Sequence, residues 1–196
     1  MESHQKDLAA EQALVELAKT DAEAFGRLYD QYYQKIFGYI VHRVGNVEIA
    51  QDITSEAFFK ALKSLRSFHW RNISFSSWLF RIATNEIANY YRKDKHYSGV
   101  DIDILAEHPS NEEDVREQIM AAEDALQRNE DFTKMRAAIA ELPQKYQEVI
   151  ALRYFEDKQI TEIAEITGKK EGTVKSLLHR GIAKIRLEME STATLS

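Results

Sequence analysis

The sequence contains no cysteine, which excludes disulfides, thiol nucleophiles and cysteine-ligated zinc. Only 7 glycines and 2 prolines occur among 196 residues, so the backbone has few obligatory breaks and an all-α fold is expected. No apolar run approaches the roughly 18 residues that a membrane span needs. The opening MESHQKDLAAEQ has no apolar stretch of the signal-peptide kind. A cytoplasmic protein without membrane insertion is therefore expected. Enzymatic signatures are also missing: there is no phosphate loop or nucleophile elbow, and the paired carboxylates sit in solvated runs. His179 has no His or Cys partner at ligand spacing. Neither catalysis, a cofactor nor a metal is expected.

What is present is 44% hydrophobic residues, enough for one or two helical cores, and an acidic balance of net charge −6. Positive charge gathers against that trend near the C-terminus, in ITEIAEITGKKEGTVKSLLHRGIAKIRL. There Ile160, Ile163, Ala164 and Ile166 recur at helical spacing, and Gly168 stops the short helix. A second helix is expected from Thr173, with Val174, Leu177, Leu178, Ile182 and Ile185 on its apolar face. Lys175, Ser176, His179, Arg180 and Lys184 fall on the other. A short helix, a glycine-containing turn and a basic helix form a helix-turn-helix, whose second helix enters the DNA major groove. Lys169 and Lys170 stand where the helix dipole disfavours a cation, and an incoming phosphate would reverse that sign.

Upstream, Met1 to Thr20 carries a weak amphipathic pattern, either a frayed helix or an extension packed on the next unit. Asp21 is a good N-cap for a helix in which Phe25, Leu28, Tyr32, Ile36, Ile40 and Val44 repeat every three to four residues. Gly45-Asn46 ends it. A second helix from Val47 buries Ile49, Ile53, Phe58, Ala61, Leu62 and Leu65. A loop over Ser67 to Ser74 precedes a third helix from about Phe75 to Lys93, with Leu79, Ile82, Ala83, Ile87 and Tyr90 as its core stripe. Trp78, Arg81, Asn85, Asn89 and Arg92 lie near another stripe, a set suited to stacking bases, bonding their edges and holding phosphates. Trp78 fits a core position equally well. From Asp94 to Asp131 twelve acidic residues face Lys95, Arg116 and Arg128, the composition of a spacer. Asp131 then caps a helix with Phe132, Met135, Ile139 and Leu142. Pro143 opens the next at its first position, and Tyr146, Val149, Ile150, Leu152 and Tyr154 complete a small core.

The string EIAEITG followed by EGTVKSLLHRG closely resembles region 4 of the sigma-70 family of RNA polymerase sigma factors, in the small extracytoplasmic-function (ECF) type. FGRLYDQYYQKIFGYI, EIAQDITSEAFFKAL and FSSWLFRIATNEIANYYRK resemble sigma region 2, in the same order. The resemblance implies two small helical domains, regions 2 and 4 (21–95 and 131–190), joined by an acidic linker (96–130) and flanked by an extension (1–20) and a tail (191–196). It implies minus-thirty-five element contacts by Lys169, Lys170, Thr173, Lys175, Ser176, His179 and Arg180. It places minus-ten contacts on Trp70, Arg71, Asn72, Trp78, Arg81, Asn85, Asn89 and Arg92, with the loop holding a base flipped from the stack.

By the same resemblance Asp52, Ser55, Glu56, Phe59 and Lys60 dock on core RNA polymerase, at the clamp helices of its largest subunit, and region 4 meets the flap of the second-largest subunit. Ser55 departs from the Gln of many relatives, and Lys170 from their Ser or Pro. Promoter DNA and an anti-sigma factor are the further implied partners. A stand-alone helix-turn-helix regulator of LuxR-like type shares EIA and TVK and is the alternative. Net negative charge disfavours it, because unaided DNA binding relies on neutralising phosphates.

Overall fold

The computed structural model describes residues 2–70, 73–97, 135 and 137–194. Among these there is helix and no strand. The spacer residues 98–130, Asp131 and Phe132, and the loop residues Arg71 and Asn72 lie outside the described residues. The N-terminal unit consists of α1 (Glu2–Ala18), α2 (Ala22–Val44), α3 (Val47–Ser64) and α4 (Phe75–Tyr97). The C-terminal unit contains α5 (Gln144–Ile150), a π-helical turn (Ala151–Phe155), α6 (Ile160–Thr167) and α7 (Glu171–Thr194).

Local chemistry sets these boundaries. Asp21 accepts a hydrogen bond from the Glu23 amide at 2.8 Å and starts α2; Gly45, at φ 68°, ends it in the left-handed conformation that costs glycine least. Asn46 then accepts from the Ile49 amide at 3.0 Å and starts α3. Ser74 does the same for α4, accepting from the Ser77 amide at 3.0 Å. Helix α4 continues to Tyr97, past the end expected near Lys93, because nothing between the two interrupts the hydrogen-bond ladder.

The first 20 residues contribute a helix packed on α2 through Val15 and Ala18, both buried, and Glu11 accepts a hydrogen bond from Tyr32. Leu28, Ile36, Tyr39 and Ile40 of α2 meet Leu79, Phe80, Ala83 and Ile87 of α4 in the core. Tyr39 is fully buried, its hydroxyl 3.0 Å from that of Thr84. Burial raises its pKa, so it stays a neutral donor or acceptor.

Three expectations for the C-terminal unit need correction. Pro143 lies just before α5, at the N-cap with ψ 140°, where the chain is still extended, instead of at the first helical position. The recognition helix begins at Glu171, two residues before Thr173, since the Lys170 carbonyl already accepts from the Val174 amide at 3.0 Å. Tyr154 is 59% exposed: the wide π-turn displaces it from the core, and Phe155 is tucked in instead.

Helix α7 lies close against α5 at Gly181. A Cβ there would come within 2.8 Å of Ile150 Cδ1, in a side chain that is itself buried. Gly181→Ala should change stability by less than about 1 kcal/mol, because better helix propensity offsets the crowding. Gly181→Leu should lose about 2–4 kcal/mol in a denaturant titration.

The two units touch. Helix α6 packs along α4, and the π-turn packs against α2. His42 of α2 stacks on Phe155 with ring centres 4.4 Å apart. Next to that stack, burial raises the Glu156 carboxyl from 4.5 to about 7, against the opposing attraction of Lys158 and Lys35. A raised carboxyl favours the packed state when neutral, so its contribution is complete below pH 4.5 and is lost as pH rises through about 7. Glu156→Gln should therefore match the parent near pH 4.5 and gain on it up to pH 8, by about 3–8 °C in thermal midpoint.

Candidate nucleic-acid and protein interfaces

The basic face is carried by α6, the Gly168 turn and α7. Gly168, at φ 67°, ends α6 in the left-handed conformation and lets the chain reverse into the recognition helix. Val174, Leu177 and Leu178 anchor one side of α7 in the core. That rotation leaves Thr173, Lys175, Ser176, His179 and Arg180 exposed on a common surface. The Ser176 hydroxyl donates to the Gly172 carbonyl at 2.9 Å, which holds it close to the helix. Lys170 is exposed at the helix start, whereas Lys169 is half-buried and its ammonium meets the Glu148 carboxylate at 2.7 Å. In this structure Lys169 thus ties the turn to α5, and the reading surface is centred on α7.

The α4 set is divided. Trp78 is partly buried with its ring centre 4.8 Å from Phe68 and 5.4 Å from Phe75. It belongs to an aromatic cluster at the base of the loop, with Trp70 edge-on to Phe68 at 6.1 Å. Asn85 and Arg92 are exposed, while Asn89 is half-buried and donates to Glu86 Oε1 at 3.1 Å. Arg81 is committed elsewhere: its Nε donates to the Glu165 backbone carbonyl at 3.1 Å, and Nη2 donates to the same oxygen. That oxygen belongs to the last turn of α6, where carbonyls lack an intrahelical partner and the dipole is negative.

The α3 face has the opposite sign. Asp52, Ser55 and Glu56 are exposed, and Phe59 keeps 49% of its surface in solvent with the Lys63 ammonium 4.2 Å over its ring. Lys60 bridges this face to α4, lying 3.3 Å from Glu56 and 2.5 Å from the buried Glu86. The Glu86 carboxylate, with a smaller contribution from Glu56, raises the lysine's pKa. Leu62, expected in the core, is 47% exposed and extends the apolar part of this surface, because the inward face of α3 is already filled by Ala57, Phe58 and Ala61.

Sequence periodicity missed the contacts between units. Ser76, Phe155 and Lys158 give no signal on their own, yet Lys158 Nζ donates to Ser76 Oγ at 2.9 Å and lies 5.0 Å over the Phe80 ring. Among the described residues no helix is long and apolar enough to cross a membrane.

Comparisons with known proteins fit this geometry. Residues 28–97 match the family model of Sigma-70 region 2, and residues 132–185 that of Sigma-70, region 4. The ECF RNA polymerase sigma factor SigW of Bacillus subtilis is 33% identical, over 93% of this chain and 98% of its own. The ECF RNA polymerase sigma factor BldN of Streptomyces coelicolor is 32% identical over 90% of this chain, and the match spans 64% of BldN.

Among solved structures, CnrH in complex with the cytosolic domain of CnrY has a similar fold. Its TM-score is 0.67 at 19% identity, covering 93% of this chain and 98% of that one. RpoE of Bartonella quintana, in complex with the anti-sigma factor NepR, has a TM-score of 0.62 at 20% identity, covering 85% and 96%. With both regions matched in order and a relative aligned along nearly its whole length, the chain belongs to the sigma-70 family of RNA polymerase sigma factors, in the ECF class.

Proposed function

We propose that this alternative sigma factor divides its work among three faces: α3 docks on core RNA polymerase, α4 with the preceding loop takes the minus-ten element, and α7 reads the minus-thirty-five element. The observation that carries the assignment is the separation of charge. Asp52 and Glu56 surround exposed Phe59 on α3, whereas Lys175, Arg180 and Lys184 project from α7. An acidic face with an apolar centre repels DNA and suits a protein partner; a basic helix face suits phosphates and base edges. Core docking is assigned to the clamp helices of the largest subunit, with region 4 meeting the flap of the second-largest.

On α4, Asn85, Asn89 and Arg92 are the proposed DNA contacts, joined by Arg81 once it leaves α6. Trp70, Arg71 and Asn72 are proposed to receive a flipped base while Trp78 supports that loop from below. No step in this scheme makes or breaks a covalent bond in the chain, so a regulatory role without catalysis is proposed. It would be exercised in the cytoplasm, where polymerase and promoter are found. An anti-sigma partner is proposed as well; the Bartonella quintana RpoE structure, a protein of similar fold, contains one. The LuxR-like alternative is not favoured, because residues 28–97 match sigma region 2.

Run-off transcription with core polymerase and a promoter pool tests the reading. Protein-dependent transcripts with discrete starts are expected; specific duplex binding by the chain alone, without initiation, would replace the sigma reading with the regulator one. The double substitution Asp52→Lys with Glu56→Lys should weaken core binding at least about tenfold at low salt while leaving the helical spectrum unchanged. Arg180→Ala should reduce initiation from promoters with the upstream element by about 5–100-fold, equivalent to about 1–3 kcal/mol, and leave core affinity unchanged.

A further inference from the structure

A carboxylate is costly to bury, yet Glu86 of α4 is buried. Its two oxygens have different partners. The Lys60 ammonium of α3 donates to Oε2 at 2.5 Å, and the side-chain amide of Asn89, one turn further along α4, donates to Oε1 at 3.1 Å. Lys60 neutralises the carboxylate and, by holding one oxygen, turns the other toward Asn89.

A carboxylate only accepts hydrogen bonds, so the end of the Asn89 amide that faces it is the NH2. This decides what the outline of the side chain leaves open, because an amide turned end for end has the same shape. With Nδ2 held inward, the half-buried side chain has its carbonyl oxygen Oδ1 left for DNA. An outward oxygen repels a phosphate, whereas it accepts from an N–H on a base edge. The bond to Glu86 therefore suits Asn89 to reading a base and not to gripping the backbone.

We propose that Glu86 is a positioning residue for promoter recognition: anchored by Lys60, it fixes the Asn89 amide with its oxygen toward DNA, so that Asn89 selects a base presenting an N–H donor at one position of the minus-ten element. Glu86 acts through Asn89 and itself touches no DNA. The proposal rests on the assignment of α4 to that element and adds the chemistry of one contact. Its consequence is sharp for Glu86→Gln. The Lys60 ammonium keeps the glutamine carbonyl, which leaves the glutamine NH2 facing Asn89. Asn89 then turns its own oxygen inward and presents NH2 to DNA, so the base preferred at that position changes to one presenting an acceptor there.

Holoenzyme assembled from core polymerase and each full-length chain is incubated with promoter DNA identified by run-off transcription and randomised across the minus-ten element, and bound and input DNA are sequenced. Asn89→Ala should lose at least about fivefold in base preference at one position. Glu86→Gln should alter the preference by a similar factor at that position alone. Glu86→Asp keeps the charge for Lys60 but is one methylene short of holding both partners, and should weaken the same preference; it serves also if the glutamine variant fails to fold. Combined with Asn89→Ala, neither should add more than about a twofold effect. In the free chain, one Asn89 Nδ2 proton signal, assigned by its loss in Asn89→Ala, should lie downfield by NMR and return upfield in Glu86→Asp. Losses spread over all positions and additive with Asn89→Ala mark a purely structural role and overturn the proposal, as does an Asn89 signal at the shift of an exposed amide. Preference lost in Asn89→Ala but kept in both Glu86 variants defeats the positioning alone. Preference untouched by Asn89→Ala, in a holoenzyme that still assembles, defeats the minus-ten role of Asn89 and the proposal with it.

Discussion

Helix α4 is packed mainly by α2 and α3 from within its own unit, where α1 also touches it, and by α6 from the other, and this enclosure constrains everything else. A helix enclosed in this way cannot follow the simple division into one apolar and one polar stripe. Phe80, Thr84 and Glu86 are buried along with Leu79, Ala83 and Ile87. The polar members of that set are accommodated by specific partners, Thr84 by Tyr39 and Glu86 by Lys60 and Asn89. Burying a hydroxyl or carboxylate without such partners would cost a few kcal/mol each.

The same enclosure links the surfaces on which function depends. Glu86 anchors Lys60, which stands at the edge of the acidic α3 face, so the proposed polymerase-docking and DNA-contacting helices share an ion pair. On the other side Arg81 ties α4 to the end of the helix that precedes the recognition helix. A change in one proposed interface therefore has a short physical route to the other two: side chains in direct contact, on helices stiff enough to move as units.

Much of the fold was legible because its signals are local. Asp21, Asn46 and Ser74 are short polar residues placed before amphipathic runs, and Gly45 and Gly168 follow such runs. Periodicity also identified Val174, Leu177 and Leu178 as the inner face of α7, and by elimination its exposed readers. Legibility failed where a residue's surroundings come from distant sequence. Tyr154 and Phe155 are adjacent aromatics that periodicity cannot rank; the π-turn exposes one and stacks the other on His42. Lys169 looked like a phosphate contact because it sits in a basic run, yet Glu148, 21 residues earlier, lies beside it in space.

The sequence by itself determined the helical class, the order of the elements and the family, because capping residues, glycines and the EGTVKSLLHRG run act through neighbours a few positions apart. Tertiary structure alone decided which exposed-looking side chains are free. Arg81 and Arg92 lie on one stripe of the same helix with the same chemistry, and no local rule separates them. Only the first is within reach of an open carbonyl on α6, and that meeting of residues 84 positions apart converts a DNA-reading candidate into an internal contact.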